Sequence, residues 1–343
     1  MIPQVQAPLP VSLHPQASGR LRLSDRRREA WLNAALALEY PNYRDLDAWT
    51  EFRAATARLA AEHLPAGIHA ALEQVFSPRG AEYLIIENLP VDTQLPPVPL
   101  DGMRPAQKQA VSEAVIAGLI GRRAEIFSYA NEKSGSPIHE VAPVRGLELT
   151  QSNAGRTPME YHTDGAFLPP RFRPHGLLLF GLLNVDTATL VLTAEQLMDA
   201  APPDLLAVLE KPWYRHAHPA SFSRDAASRP SPVLWRPILW RDENTTACVA
   251  AASSAIEPRN TTAHDALHEF RKLCSDLTPA RIVIEPGTAL LFRNDRVLHG
   301  RQAVSGSRWL QRAYFTSSLR PFREATHSDA RDFCFDSQAL LQS

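Results

Sequence analysis

Cysteine is scarce in this chain. Cys248, Cys274 and Cys334 are the only three among 343 residues, widely spaced and without a CxxC pair. That pattern argues against a disulfide framework or a zinc knuckle and suits a reducing cytoplasm. A charge excess is also missing: 36 Lys and Arg stand against 37 Asp and Glu, a formal net charge of −1. There is no electrostatic footprint for nucleic acid or an acidic membrane surface, and a small molecule is the expected partner. No window approaches the roughly 18 apolar residues of a membrane span, and Met1-Ile2-Pro3-Gln4-Val5 lacks the charged start and apolar run of an export signal. The glycine-rich signatures GxGxxG and GxxxxGK[ST] are absent, as are internal repeats, so phosphate-cradling loops and solenoids are not indicated.

Residues 1–25 carry prolines at 3, 8, 10 and 15, which remove backbone donors and predict an extended arm. The remainder, 26–343, reads as one domain. From Arg26 to about Gln74 an Ala/Leu-rich pattern (Trp31, Leu32, Ala35, Leu36, Leu38, then Leu59, Ala60, His63) predicts two or three amphipathic helices in a helical part spanning 26–80. A β-rich core follows over 81–320, with helical insertions around 194–280 and a C-terminal tail over 321–343.

Expected strands are Glu82–Pro90, Glu125–Tyr129, Gly146–Thr150, Gly176–Leu183, Thr189–Thr193, Pro232–Trp240, Ala247–Ala251, Ile282–Ile284, Thr288–Phe292 and Arg308–Phe315. Expected helices are Gln107–Ile120, Ala194–Ala200 capped by Thr193, Pro203–Leu209 with proline in its first turn, and Thr262–Ser275 capped by Thr261 or Thr262. Short strands with long connections predict a mainly β fold with helical additions, a double-stranded β-helix (jelly roll, cupin-like) with N-terminal helices, rather than a doubly wound sheet.

Chemistry concentrates in Glu160-Tyr161-His162-Thr163-Asp164-Gly165-Ala166-Phe167 and in Val297-Leu298-His299-Gly300-Arg301. On an extended segment residues i and i+2 face the same side, so His162 and Asp164 can converge on one ion while Thr163 points away. Taken alone, such a pair is equally a turn in which the carboxylate satisfies backbone donors. Adding His299, 137 residues on (299 minus 162), completes two imidazoles and a carboxylate, the donor set that suits ferrous iron with open positions.

The stretch Gly287 to Arg301, followed by Ser307-Arg308-Trp309-Leu310-Gln311-Arg312-Ala313-Tyr314-Phe315, resembles the iron(II)- and 2-oxoglutarate-dependent oxygenases. It is most similar to their clavaminate synthase and arginine β-hydroxylase branch, within the taurine dioxygenase superfamily. Supporting pieces run from Glu82 through Ala142-Pro143-Val144 and Gln151-Ser152-Asn153-Ala154-Gly155 to Phe315.

The resemblance implies His162, Asp164 and His299 as iron ligands, Arg308 and Thr189 as binders of 2-oxoglutarate, and Arg312 against an anionic group of the substrate. Asn131, Glu132, Gln151, Asn153 and Glu160 fall in regions that line the pocket in relatives and are the candidate substrate contacts. The implied cofactors are Fe(II), 2-oxoglutarate as co-substrate, and O2. The implied reaction is hydroxylation of an unactivated carbon of an amino acid or amino-acid-derived substrate, free or carrier-tethered, in the manner of specialised-metabolite biosynthesis. Retention of Asp164 favours hydroxylation or desaturation over halogenation. Three features depart from that branch: glutamate is commoner in its metal motif, Val185-Asp186-Thr187-Ala188 stands in place of a Gly-Gly before the threonine, and only nine residues (308 minus 299) separate His299 from Arg308.

A planar guanidinium matches a carboxylate through two parallel hydrogen bonds, which gives Arg308 and Arg312 a physical reason beside the resemblance. Arg301 is expected at the surface, since charged residues mostly are. His216 and His218 share i, i+2 spacing but lack a third partner and read as structural or as an edge of the substrate pocket. His139-Glu140, and His264 with His268, lack the HExxH pattern of a zinc hydrolase. Gly165 is expected to leave room beside the metal for a substrate side chain. Two other readings stay open: a non-catalytic jelly-roll protein that binds or senses a small molecule, and a zinc-dependent hydrolase built on the same ligands. The sequence leaves the oligomeric state undefined.

Overall fold

The computed structural model describes residues 19–217, 234–251 and 255–343. In chain order these form β1 (Gly19–Arg22), α1 (Asp25–Ala35), α2 (Leu46–His63), α3 (Ala66–Phe76), β2 (Tyr83–Glu87), α4 (Val111–Ile120), β3 (Glu125–Tyr129), β4 (Ile138–Val141) and β5 (Met159–His162). Then come β6 (Gly176–Asn184), β7 (Ala188–Thr193), α5 (Ala194–Ala200), α6 (Pro203–Leu209), β8 (Tyr214–His216), β9 (Leu239–Arg241), β10 (Ala247–Val249), β11 (Ile256–Pro258) and α7 (Thr261–Asp276). The chain closes with β12 (Ala280–Val283), β13 (Ala289–Arg293), β14 (Val297–Arg301), β15 (Arg308–Thr316), α8 (Arg320–Thr326), β16 (Cys334–Phe335) and α9 (Ser337–Leu341). The fold is sheet-rich with helical additions.

An eight-stranded sheet runs β1-β2-β13-β6-β15-β3-β16, with β4 also paired to β15, and a four-stranded sheet runs β12-β7-β14-β5. The central strand β6, Gly-Leu-Leu-Leu-Phe-Gly-Leu-Leu-Asn, is an almost unbroken apolar run, as a strand covered on both faces requires. Its partner β15 is buried from end to end but carries two arginines and a glutamine. Its even-numbered residues turn toward the four-stranded sheet, where Arg312 meets Asp164, and its odd-numbered ones toward α4, where Gln311 donates to Glu113. Trp31 and Trp309 are fully buried in one core that runs from Leu23 to Leu341, and a second cluster gathers α5, α6, α7 and β8–β10. Each fully buried leucine or phenylalanine contributes about 1.5–3 kcal/mol. No helix among the described residues is long and apolar enough to cross a membrane.

Several elements differ from expectation. Gly146–Thr150 is a pair of turns: Gly146 takes φ +81°, Leu149 is 89% exposed, and the ladder position beside β15 belongs to β4. The alternation of Leu147 and Leu149 had no sheet to face. Asn260, not Thr261 or Thr262, caps α7, its side chain accepting from the Ala263 amide. Helix α4 begins at Val111, because the chain before it turns to bring Lys108 onto Asp92 and Glu113. Of the strand expected over Pro232–Trp240, Leu239–Arg241 is a ladder and Arg236 an isolated bridge, while residues 232 and 233 lie outside the described residues. Within the expected arm, Gly19–Arg22 pairs in parallel with β2; residues 1–18 lie outside the described residues. Residues 321–343 carry most of α8 together with β16 and α9, with Phe322 and Leu340 fully buried.

Candidate active site

Strand pairing puts the two histidines opposite each other. In the β14–β5 ladder His299 is the register partner of His162, and their rings lie 4.2 Å apart between centroids. Two residues on, Asp164 brings its Oδ1 to 3.5 Å from His162 Nε2 and 4.0 Å from His299 Nε2. Among the described residues this is the one cluster of three metal-binding side chains, with one ligand atom from each residue lying within 4.8 Å of the others.

Backbone anchors hold the motif. Thr163 turns away, its hydroxyl and amide both bonded to Ala251, as the i, i+2 geometry requires. Asn294 receives the Asp164 amide on Oδ1 at 2.8 Å and donates from Nδ2 to the Asp164 carbonyl at 2.8 Å and to Pro174 at 3.1 Å. His162 Nδ1 is 2.8 Å from the Glu160 carbonyl, leaving Nε2 toward the centre. Asn294 escaped the sequence reading, although its place in Arg293-Asn294-Asp295 just before β14 was a signal that a polar loop residue could be bracing the site.

Electrostatics keep the donor set in metal-binding form. Burial pushes His299 down to about 3, with His162 beside it acting the same way, so this imidazole is neutral at pH 7. Burial alone would raise the Asp164 carboxyl, but Arg312 and the two histidines outweigh it and hold it well below the usual range, hence ionised. Arg312 is the hub: Nη1 donates to Asp164 Oδ2 at 2.9 Å, while Nη2 meets both Glu132 Oε1 and His139 Nδ1. Its guanidinium lies 4.4 Å over the Tyr314 ring, and Tyr314 donates to Glu132 Oε2 at 3.0 Å. Tyr314 and His139 are further participants that sequence reasoning missed.

On one side of the triad lies a cavity lined by Thr189, His299, Arg301, Arg308, Arg312 and Asn153 among others. Arg308 is 4% exposed, and its Nε and Nη1 have no hydrogen-bond partner. Burial pushes it down to about 9, with Arg301 adding to the shift. A buried guanidinium left unpaired is costly unless an anion completes it, so these residues fit the distal carboxylate of a dicarboxylic co-substrate. The triad fits a divalent ion by the same reasoning: two imidazoles and one carboxylate converge, and none is committed elsewhere by more than one strong partner.

Other expectations are corrected. Arg301 is buried, not exposed; Nη2 donates to Thr157 at 2.7 Å, and its charge joins the cavity. Asn131 is turned away, its Oδ1 accepting from Ser337 at the start of α9. Gln151 and Glu160 are exposed and outside the cavity. Gly165 has φ +69°, and a Cβ there would meet Pro174, Tyr129 and Leu168 rather than open space. Its glycine therefore serves the turn after the motif. His216 is buried with both ring nitrogens unpartnered, and His218 lies outside the described residues. His264 and His268 are solvated positions on α7, as expected. A larger hollow of about 230 Å³, lined by Tyr43, Arg44, Ser134 and Cys334 among others, contains none of the triad.

Comparison with known proteins follows the same lines. The chain is 27% identical over 266 residues to L-asparagine oxygenase of Streptomyces coelicolor, covering 74% of this chain and 75% of that protein. It is 26% identical over 310 residues to enduracididine beta-hydroxylase of Streptomyces hygroscopicus, covering 80% and 88%. Among solved structures, asparagine oxygenase in complex with Fe(II), 2S,3S-3-hydroxyasparagine and succinate superposes with a TM-score of 0.79 at 23% identity, over 92% of this chain and 99% of that one. The non-heme iron oxygenase OrfP in complex with Fe and alpha-ketoglutaric acid gives 0.76 at 22% identity, over 92% and 99%. Residues 42–314 match the model of the taurine catabolism dioxygenase TauD, TfdA family, and the chain belongs to that family.

Proposed function

We propose that this chain is an iron(II)- and 2-oxoglutarate-dependent oxygenase that hydroxylates an amino acid or a close derivative, free or carrier-tethered. The observation that carries the reading is the convergence, in one cavity, of His299 from the His162, Asp164, His299 cluster with the unpaired buried Arg308. Family membership and the amino-acid oxygenases among the relatives support the same reading. The two sheets flanking the site are, on this reading, the walls of the expected double-stranded β-helix, with residues 26–343 acting as a single domain. A cytoplasmic location accords with three unpaired cysteines.

His162, Asp164 and His299 hold the iron, and Arg308 with Thr189 receives the distal carboxylate of 2-oxoglutarate. Bound there, the two supply oxygen activation, with 2-oxoglutarate converted to succinate and carbon dioxide. The protein's own part is to orient and to exclude water. Arg312 offers its guanidinium to a substrate carboxylate, Glu132 and Asn153 offer acceptors to its ammonium, and Asn294 keeps the metal carboxylate aimed. Asn131, Gln151 and Glu160 are left out of this assignment on the strength of their positions.

The test is succinate formation from 2-oxoglutarate across an amino-acid panel, with iron present and with it removed. Iron- and dioxygen-dependent succinate is expected, abolished in His162→Ala. Turnover that persists anaerobically would instead indicate a hydrolase, and amino-acid binding indifferent to iron and to His162→Ala would indicate a sensor.

A further inference from the structure

Just past the candidate metal ligand Asp164, two arginines and a histidine gather with no carboxylate in ion-pair contact. Arg173 donates from Nε to the Leu168 carbonyl and from Nη2 to the Ala166 carbonyl, each at 2.8 Å, and Arg236 Nη1 donates to the same Leu168 carbonyl. A guanidinium has five N–H donors, so Arg173 spends two and Arg236 one. No ion pair joins either to a carboxylate among the described residues; the Asp295 carboxylate acts on Arg173 only from beyond ion-pair distance, and Arg173 is only 8% exposed.

Strand geometry adds the histidine. Arg236 and Tyr214 form an antiparallel bridge, their backbone groups exchanging hydrogen bonds at 2.9 and 3.1 Å. Directly paired residues project to the same face, and so do residues i and i+2 of a strand, which puts Arg236, Tyr214 and His216 on one side. His216 is 7% exposed with neither ring nitrogen partnered, and the buried Tyr214 hydroxyl is likewise unpartnered. Burial, with Arg173 and Arg236 adding to it, pushes His216 down to about 3, so it stands as a neutral donor and acceptor.

The cluster lies within reach of the metal site. The Leu168 amide bonds to the Gly165 carbonyl at 2.9 Å, a turn whose ends lie within about 7 Å. Gly165 follows Asp164 at one Cα step of about 3.8 Å, so Leu168 lies on the order of 11 Å or less from Asp164. A separation of that order is covered by an acidic side chain extending from a carbon near the metal together with the arginine side chain that meets it. Fastening a turn needs only neutral donors. Two guanidiniums free of any ion pair, both acting on a buried imidazole without a partner, are instead the makings of an anion site.

We infer that Arg236, Arg173 and His216 form a subsite for a side-chain carboxylate, and that the substrate is a free acidic amino acid. This deepens the oxygenase reading and rests on it. It sets the chain apart from relatives named for asparagine and enduracididine.

The experiment loads the protein anaerobically with iron and 2-oxoglutarate and measures binding of L-aspartate, L-glutamate and L-2-aminoadipate against L-asparagine, L-glutamine and L-arginine. The same panel is then followed by aerobic succinate formation. At least one acid is expected to bind about tenfold or more tightly than its amide counterpart or arginine. Arg236→Gln should remove about tenfold of affinity for that acid and leave the amides within about twofold, whereas Arg236→Lys retains most of the discrimination. A wild-type preference for amides or arginine, or an Arg236→Gln variant that weakens acids and amides alike, sinks the subsite while 2-oxoglutarate turnover leaves the oxygenase reading standing. Failure of 2-oxoglutarate to bind or turn over sinks both.

Discussion

Arg308 shows how a single side chain can be a burden to the fold and an asset to the site. It is 4% exposed, two of its nitrogens lack partners, and burial, with the second cation Arg301 adding to it, depresses its pKa. A structural arginine would have its buried donors met by carboxylates or carbonyls, as Arg301 has. We therefore expect Arg308→Gln to lower affinity for 2-oxoglutarate by about 100-fold, the scale of a lost two-point charged contact. Without the co-substrate the variant should melt no lower than the parent, because an unpaired buried charge has been removed. Thermal shift with and without 2-oxoglutarate reads both; a variant that melts lower yet still responds fully to the ligand would show that Arg308 braces the fold. The roles suggested for Arg308 and Arg312 were legible as residue types that match carboxylates. Arg301 was not, because a charge is buried only by what the rest of the chain packs over it, here the carbonyls of Thr157 and Gln302.

At the scale of elements, local chemistry was legible and pairing was not. Helix Ala194–Ala200 sits where Thr193 and Gln196 build a reciprocal capping box, and Glu125–Tyr129 coincides with its apolar run. Gly146–Thr150 looked like a strand because alternation cannot reveal whether a neighbouring strand exists, and Ile138–Val141 was passed over because its His139 and Glu140 look polar. Both are buried, one facing Arg312 and the other Gln311. The pairing that matters most is β14 with β5, which sets His299 across from His162. It depends on Gly300, where a Cβ would stand 2.9 Å from the Met159 carbonyl oxygen and 3.4 Å from the Tyr161 ring. Gly300→Val must push β5 off β14 and draw the histidines apart. The expected result is at least a tenfold loss of affinity for Co(II) as a probe of the site, with far-UV circular dichroism unchanged and a stability loss of about 1–3 kcal/mol. Unaltered Co(II) affinity would mean that the ladder does not set the donor geometry.

For the whole molecule, buried ionisable groups of opposite habit set how stability responds to pH. Burial raises Glu140 from 4.5 to about 7, helped by Glu113, and burial raises Glu82 to about 7. Burial lowers His139 from 6.5 to about 4, with Glu132 opposing and Arg312 adding, and lowers both His216 and His299 to about 3. For the glutamates the folded pKa exceeds the unfolded one. Their contribution is full below 4.5 and fades as pH rises through 7. For the histidines the folded pKa is the lower, so their contribution is full above 6.5 and fades as pH falls toward 4 and 3. Between about 4.5 and 6.5 the unfolded chain has lost two protons from the glutamates and kept three on the histidines, relative to the folded one, so it holds one proton more and stability rises with pH. Metal-free protein should therefore gain up to about 1.4 kcal/mol per pH unit across that window and fall more steeply below it. The Glu140→Gln variant steepens the climb. Its amide does not titrate, so stability should climb across the same window by up to about 1.4 kcal/mol per pH unit more than in the parent. Its absolute stability drops somewhat as well, since the amide can accept only one of the bonds that Trp309 and Gln311 now donate to Glu140. Urea unfolding at half-unit steps from pH 4 to 8 separates the two effects: the lost bond lowers the whole curve, whereas the lost titration tilts it. Parallel curves for parent and variant would show that Glu140 stays ionised inside the fold, held so by Lys108 and by the bonds from Gln311 and Trp309.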